Sequence, residues 1–345
     1  MPDFRFLLEL GVFHKALAEQ KQVVQSFWEN AAQLLVNSGI QLKPMPVQWS
    51  SFRRNYFSVF FIVCFRVLGI ADDRRRLFAR LNHCLRAWVT CCDNLLDNEL
   101  KELILTDLPQ EAKIFKSVHT LMLTDRIFFR YLMEAVAGRV ITAVEMRQLL
   151  EISLSAISPS GREEAQEESG VDLDLPPDKV ADQIHHTKTG RLFTSPLQAP
   201  LRLGDLDLQS EAVRCVHDGL LSLGISCQIL DDLNDLAMDL CNRKYNYLAS
   251  LILHGDDQQE KRRLEAFVGT SRSNQTPLCD TALYKQFPNA ARFARDEALR
   301  RLDNALALLC RGGVPLNRTG RRTFVNVLKS LYTNPEALLK IRDPL

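Results

Sequence analysis

Glycine and proline are scarce, at 15 and 14 of 345 residues, which excludes a collagen-like or low-complexity chain. An excess of one charge is lacking as well. A formal net charge of +1 leaves no electrostatic footprint for nucleic acid, and the basic runs at 74–76 and 320–322 read as solvated faces. The nine cysteines include no CxxC pair, so neither a disulfide framework nor a zinc site follows. Reduced, mostly buried thiols in a cytoplasmic protein are expected. No apolar run is long: "YFSVFFIVCF" at 56–65 falls far short of the ~20 residues that span a bilayer. The opening stretch carries Asp3, Arg5 and Glu9 among its apolar residues and does not read as a secretory signal.

Strand alternation is missing too, whereas apolar residues recur at helical spacing almost everywhere. The periodicity predicts helices over 6–37, 54–70, 74–105, 112–137, 143–157, 179–190, 209–241, 246–254, 258–269, 289–311 and 320–341. The fold class is therefore all-α. One stretch breaks the pattern, "SPSGREEAQEESGVDLDLPPDK" at 158–179. It is acidic and almost free of large apolar groups, and it reads as a flexible loop or flap. The helices on either side look unable to fold alone, so residues 1–345 are read as one domain carrying this insertion.

Against that background "CQILDDLNDLAMD" at 227–239 stands out, with four aspartates within nine positions. On a helical wheel Asp231, Asp235 and Asp239 share one arc with Gln228 and Gly224, while Ile229, Leu233, Leu236 and Leu240 lie opposite. A solvated face is the plain reading. The same arc continues backwards as Leu and Gly, however, which suggests carboxylates lining an enclosed space. Buried carboxylates must be paired or bind metal, and an oxygen-only set at i, i+4, i+8 suits Mg²⁺. A second cluster, "CCDNLLDNEL" at 91–100, sets Asp93 and Asp97 one helical turn apart, with Arg86 and Thr90 on the same face. Facing each other, the two clusters would hold several Mg²⁺ ions and a diphosphate.

Two aspartate-rich motifs in an all-α chain resemble the isoprenoid synthase superfamily, which comprises trans-prenyl diphosphate synthases and class I terpene synthases. "HHTKTGRLFTSP" (185–196) is similar to the KT(G/A) segment of the prenyl synthases, with Lys188 at the place of the diphosphate-gripping lysine. "GISCQILDDLND" (224–235) resembles their GxxFQxxDDxxD element, matching at Gly224, Gln228, Asp231, Asp232 and Asp235. The resemblance covers roughly residues 50–255 and implies a single-domain helical bundle around a central cavity.

Departures from the prenyl-synthase pattern point toward the terpene-synthase branch. Arg53 and Arg54 stand where a GKRxRP-type segment would bind isopentenyl diphosphate; Lys101 alone follows the first motif, and Asn94 replaces an aspartate. Asp239, Lys244 and Asn246 approach the terpene-synthase metal motif instead. The resemblance thus implies Mg²⁺, three ions by analogy, held by Asp93 and Asp97 on one side and by Asp231, Asp235 and Asp239 on the other. Lys188, Lys244 and Arg191 would grip the leaving diphosphate of an allylic prenyl substrate, with Gln228 and Asn246 as further substrate-binding groups. Phe57, Phe60, Phe61, Trp88 and Phe193 are candidates to face the resulting cation. Cyclisation or elimination by a terpene synthase is the preferred expectation. The alternatives are prenyl transfer, to a second diphosphate or to another acceptor, and a non-catalytic synthase subunit. A homodimer would be typical of the family.

Overall fold

The computed structural model describes residues 11–271 and 282–332. Among them the secondary structure is helical apart from one isolated bridge between Leu42 and Thr106, so the all-α expectation holds. The described residues divide into two compact units, 11–157 with 196–210, and 158–195 with 211–271 and 282–332.

The first unit contains α1 (Gly11–Leu35), α2 (Tyr56–Val67), α3 (Asp72–Leu96) and α4 (Lys113–Ala137), and it takes in the first part of α5 (Ala143–Glu167). Its core is aromatic: Phe13, Phe27, Phe60, Phe65, Phe78 and Tyr131 are almost wholly removed from solvent. Asp72 and Asp73 occupy the first turn of α3, where carboxylates complement the positive end of the helix dipole. Arg75, one turn on, is buried and fully compensated. It reaches Glu19 at 2.9 Å, Asp72 at 2.7 Å and the Ile70 carbonyl at 2.8 Å.

The second unit holds the end of α5, a π-helical segment (Val180–Gly190), the start of α6 (Arg191–Arg202), and then α7 (Glu211–Asn242), α8 (Tyr247–His254), α9 (Gln258–Ser271), α10 (Pro288–Arg311) and α11 (Arg318–Tyr332). Its centre is α7 against α10. Ile225, Ile229, Leu233, Leu236 and Leu240 are buried in one cluster with Ala290, Ala291, Ala294 and Ala298. Small residues on α10 bring the backbones close enough for Ser226 Oγ to donate to the Ala298 carbonyl at 2.7 Å.

Two expectations change. The segment 158–179 is not a loop throughout, because α5 runs on to Glu167 despite Pro159 and Gly161. Irregular backbone is confined to 168–176. Helix α6 arises where no helix was read, since Pro196 and Pro200 inside it argue against one. The part of the last expected helix beyond residue 332, and that of the first before residue 11, lie outside the described residues. No helix of the described chain is long and apolar enough to cross a membrane, and the eight cysteines among these residues form no disulfide with one another.

Candidate active site

The second acidic motif is built on a close crossing of backbone. A Cβ on Gly224 would meet the Thr189 carbonyl oxygen at 2.6 Å and Gly190 Cα at 3.0 Å. Only glycine lets α7 approach the π-helical segment this closely. The approach brings Thr189 Oγ1 into donating contact with Gln228 Oε1 and places Lys188 in the same neighbourhood. The Gly and Gln of the sequence motif therefore have a geometric reason: they set the separation of two helical segments.

One turn further along α7, Asp232 is buried and saturated. Its Oδ1 accepts from Gln228 Nε2 at 3.1 Å, and its Oδ2 accepts from the Tyr247 backbone N–H at 2.5 Å and lies 3.1 Å from His185 Nε2. Asn246 caps α8 by accepting from Ala249 N–H at 3.0 Å. The same amide donates to the Asp232 carbonyl and to Asp239 Oδ2, both at 2.8 Å. Asp232 is thus the hub that joins α7, α8 and the π-helical segment. Asp231, Asp235 and Asp239 remain partly exposed, while Ile229, Leu233, Leu236 and Leu240 on the opposite face are buried. Enclosure of Asp239, with the Asp232 and Asp235 carboxylates nearby, holds its carboxyl well above the usual range. Crowded carboxylates of this kind are relieved by a cation.

Sequence reasoning did not anticipate the partners of the two lysines. Lys188 Nζ lies 2.6 Å from Glu164 Oε1 and 3.0 Å from Glu167 Oε2, and Lys244 Nζ lies 3.7 Å from Glu164 Oε2. Burial works against the charge of Lys188, yet the two glutamates hold its ammonium above the ordinary lysine range. Arg191, at the start of α6, is exposed. Burial and the neighbouring Arg191 lower the His186 imidazole below its usual range.

In the first unit, Asp93 lies in the last turn of α3, and Asp97 caps that helix, its N–H bonded to the Asp93 carbonyl at 2.9 Å. The last turn carries no basic residue. Two carboxylates at the negative end of a helix dipole are unfavourable by ~0.3–1 kcal/mol each, which a bound cation would offset. Asn94 is buried between them. It accepts from Lys101 N–H at 2.8 Å and donates to the Lys101 carbonyl at 3.3 Å, a pairing that a carboxylate could not complete. The departure from the aspartate-rich pattern is therefore a brace for the following loop.

Upstream on α3, half-buried Arg86 faces a small pocket lined by Trp28, Trp49, Arg54, Asn55 and His83. Its guanidinium meets only neutral acceptors, namely Asn55 Oδ1 at 3.2 Å, Ser58 Oγ at 3.5 Å and the Arg54 carbonyl at 3.0 Å. Burial, with Arg54 beside it, pulls Arg86 down to about 10. Arg54 stacks 4.0 Å from the Trp49 ring centroid, and burial lowers it despite the nearby Glu102. Unlike Arg75, Arg86 has no carboxylate partner among the described residues. Of the aromatic candidates, Phe60 is wholly core and stacks on Phe13 at 6.5 Å, while Trp88 packs on Phe128 at 4.9 Å.

Among the described residues no three His, Cys, Asp or Glu side chains converge to cage an ion unaided. Such a set still fits Mg²⁺, which binds through one or two carboxylates and takes its other ligands from water and phosphate oxygens.

No protein-family model and no curated protein matches the chain. Solved structures do match over nearly its full length. A polyprenyl synthase from Caulobacter crescentus CB15, solved with calcium and isoprenyl diphosphate, superposes with a TM-score of 0.62 at 17% identity, covering 92% of this chain and 94% of that one. A geranylgeranyl pyrophosphate synthase from Lactobacillus brevis ATCC 367 gives 0.64 at 13% identity, covering 96% and 100%. A geranylgeranyl pyrophosphate synthetase from Pyrococcus horikoshii OT3 gives 0.58 at 17% identity, covering 94% and 97%. The chain has the all-α isoprenoid-synthase fold that these prenyl synthases share.

Proposed function

We propose that the chain is a Mg²⁺-dependent prenyltransferase that joins an allylic prenyl diphosphate to a second diphosphate substrate of the isopentenyl type. This reverses the order of preference drawn from sequence, where cyclisation came first because the basic segments of the elongases are missing. The observation that carries the change is the Arg54–Arg86 pair. Two cations line one pocket, with no carboxylate on Arg86 among the described residues, seven residues before Asp93 in the case of Arg86. They supply, with different residues, the positive charge that a second diphosphate needs. The solved structures sharing the fold are prenyl synthases, which agrees with this reading.

In this mechanism Lys188 and Lys244 donate charge-assisted hydrogen bonds to the allylic diphosphate, and Arg191 adds a further donor. Asp93 and Asp97, with Asp231, Asp235 and Asp239, would hold Mg²⁺, whose charge makes diphosphate a better leaving group. Asn246 positions Asp239, and Gln228 positions Asp232. Heterolysis of the allylic C–O bond sends the electron pair to the diphosphate. The double bond of the second substrate attacks the resulting allylic cation, forming a C–C bond, and the condensed cation then passes a proton to the released diphosphate. Arg54 and Arg86 hold that second substrate by its diphosphate.

The test is to incubate the protein and Mg²⁺ with ten-, fifteen- and twenty-carbon prenyl diphosphates, with and without isopentenyl diphosphate. Extracts are analysed before and after phosphatase treatment. Longer prenyl alcohols that appear only with both substrates are expected. Hydrocarbon from the allylic substrate alone would instead establish a terpene synthase, the reading that Asp239, Lys244 and Asn246 favour. No product under either condition would leave a non-catalytic subunit.

A further inference from the structure

The end of α5 does something its composition does not favour. "SPSGREEAQE" at 158–167 includes a proline and a glycine, residues that cost a helix about 3 and 1 kcal/mol, yet the helix continues to Glu167. The contacts that hold it there are electrostatic and specific. Glu164 bridges both lysines, at 2.6 Å from Lys188 and 3.7 Å from Lys244, and Glu167 reaches Lys188 at 3.0 Å. The Glu167 side chain is 1% exposed, and its Oε1 has no hydrogen-bond partner among the described residues. Leaving a buried carboxylate oxygen unsatisfied is unfavourable, so this arrangement is a costly resting place for Glu167.

The connector after α5 is tied down beside the same lysine. Gly170, at φ +78°, packs on Arg243, with its missing Cβ only 3.1 Å from Arg243 Cβ. Val171 N–H donates to the Arg243 carbonyl at 2.8 Å, and Arg243 Nη2 returns a bond to the Val171 carbonyl at 3.1 Å. Arg243 itself takes a left-handed φ of 53°, uncommon for a non-glycine residue. Residues 164–171 therefore close over Lys188, Arg243 and Lys244 as one continuous clasp.

We propose that this clasp is an internal latch, in which the Glu164 and Glu167 carboxylates occupy the two lysines until a diphosphate displaces them. The inference rests on the diphosphate reading of Lys188 and Lys244. Two carboxylates present to the lysines what a diphosphate would present, namely oxygen acceptors bearing about two negative charges. Both sets cannot hold the same ammonium groups, so diphosphate binding requires the glutamates to withdraw. Because Glu167 is buried and fixed on a helix, withdrawal takes the last turns of α5 with it. The latch then couples ligand arrival to unwinding or displacement of 158–171, and it sets a charge threshold that a weakly charged ligand does not cross.

The test is calorimetric titration of the full chain with pyrophosphate in excess Mg²⁺, together with hydrogen exchange by mass spectrometry. In Glu164→Gln/Glu167→Gln, pyrophosphate should bind at least tenfold more tightly than in the unaltered chain. In the unaltered chain, exchange over 158–171 should rise on binding. Glu164→Gln alone, at a partly exposed site, should show a smaller gain in the same direction and covers the case in which the double variant does not fold. Unchanged or weaker binding in the variants, with the unaltered chain still binding, would overturn the latch and leave the diphosphate reading standing. Failure of every form to bind pyrophosphate would overturn both.

Discussion

Asn246 Nδ2 donates to Asp239 Oδ2 at 2.8 Å while Asn246 Oδ1 caps helix α8. One side chain thus fixes a carboxylate and begins the next helix. Asn246→Ala should unfasten both. Loss of the cap costs about 1 kcal/mol, and freeing Asp239 should weaken Mg²⁺-dependent turnover by roughly 10–100-fold, the range for groups that orient metal ligands. Urea unfolding and steady-state rates at varied Mg²⁺ separate the two effects.

The aspartates themselves should behave differently from their buried neighbour. Asp97→Asn and Asp231→Asn remove charge from exposed or partly exposed positions and should abolish product formation with little change in melting temperature. Asp232→Asn replaces a carboxylate that accepts from Gln228 and the Tyr247 N–H and lies 3.1 Å from His185 Nε2. It should destabilise the fold by about 1–3 kcal/mol. Thermal melts beside activity assays check the contrast, and wild-type rates in both Asp97→Asn and Asp231→Asn would sink the metal assignment.

Asn94→Asp restores the residue found in the aspartate-rich pattern, yet it should not improve the enzyme. The new carboxylate cannot donate to the Lys101 carbonyl, so the brace is lost at a cost of about 1–3 kcal/mol. Chemical denaturation measures this directly.

These contrasts show where the sequence was informative. Most helices, the partition of α7 into an apolar face and an acidic arc, and the pairing of Asp93 with Asp97 follow from side-chain periodicity, which backbone geometry imposes locally. Asp232 could not be told from Asp231 in the same way. Its burial depends on where Tyr247 and His185 fall, and that is a tertiary fact. Composition misread 158–167 because helix propensity contains no term for Lys188 and Lys244, which lie more than twenty positions away. The prolines at 196 and 200 hid α6 for a similar reason. Arg86 was visible as a residue sharing a face with Asp93, but its lack of a carboxylate partner is legible only once its neighbours are known.

Arg86→Met probes that lack. No carboxylate among the described residues is left stranded, so the cost should be confined to the neutral acceptors that Arg86 satisfies, about 1–3 kcal/mol. The KM for the second diphosphate substrate should rise at least tenfold, with the allylic KM little affected. Arg75→Met removes one of the two arginines that hold Glu19, Arg66 being the other, so it should lower stability by about 1–3 kcal/mol with both KM values little affected. Steady-state kinetics and denaturation of the two variants form the comparison.

The pocket carries a pH signature as well. Burial, reinforced by Arg86, depresses the His83 imidazole to about 3. The folded state thus keeps it neutral, whereas the unfolded chain protonates it near 6.5. Stability from this group is complete above the unfolded value and is lost as pH falls from about 6.5 toward 3, by up to about 1.4 kcal/mol per unit. Denaturation at stepped pH should show that slope, and His83→Asn should flatten it.

The contact between Gly224 and Gly190 bears on how this chemistry could be transplanted. Copying Asp231, Asp235 and Asp239 onto the surface of another helix would reproduce the carboxylates without their counter-charge. Lys188 is delivered two residues before Gly190, at a helix separation that any larger residue at 224 would wedge open. A donor scaffold must therefore supply the notch before it receives the ligands.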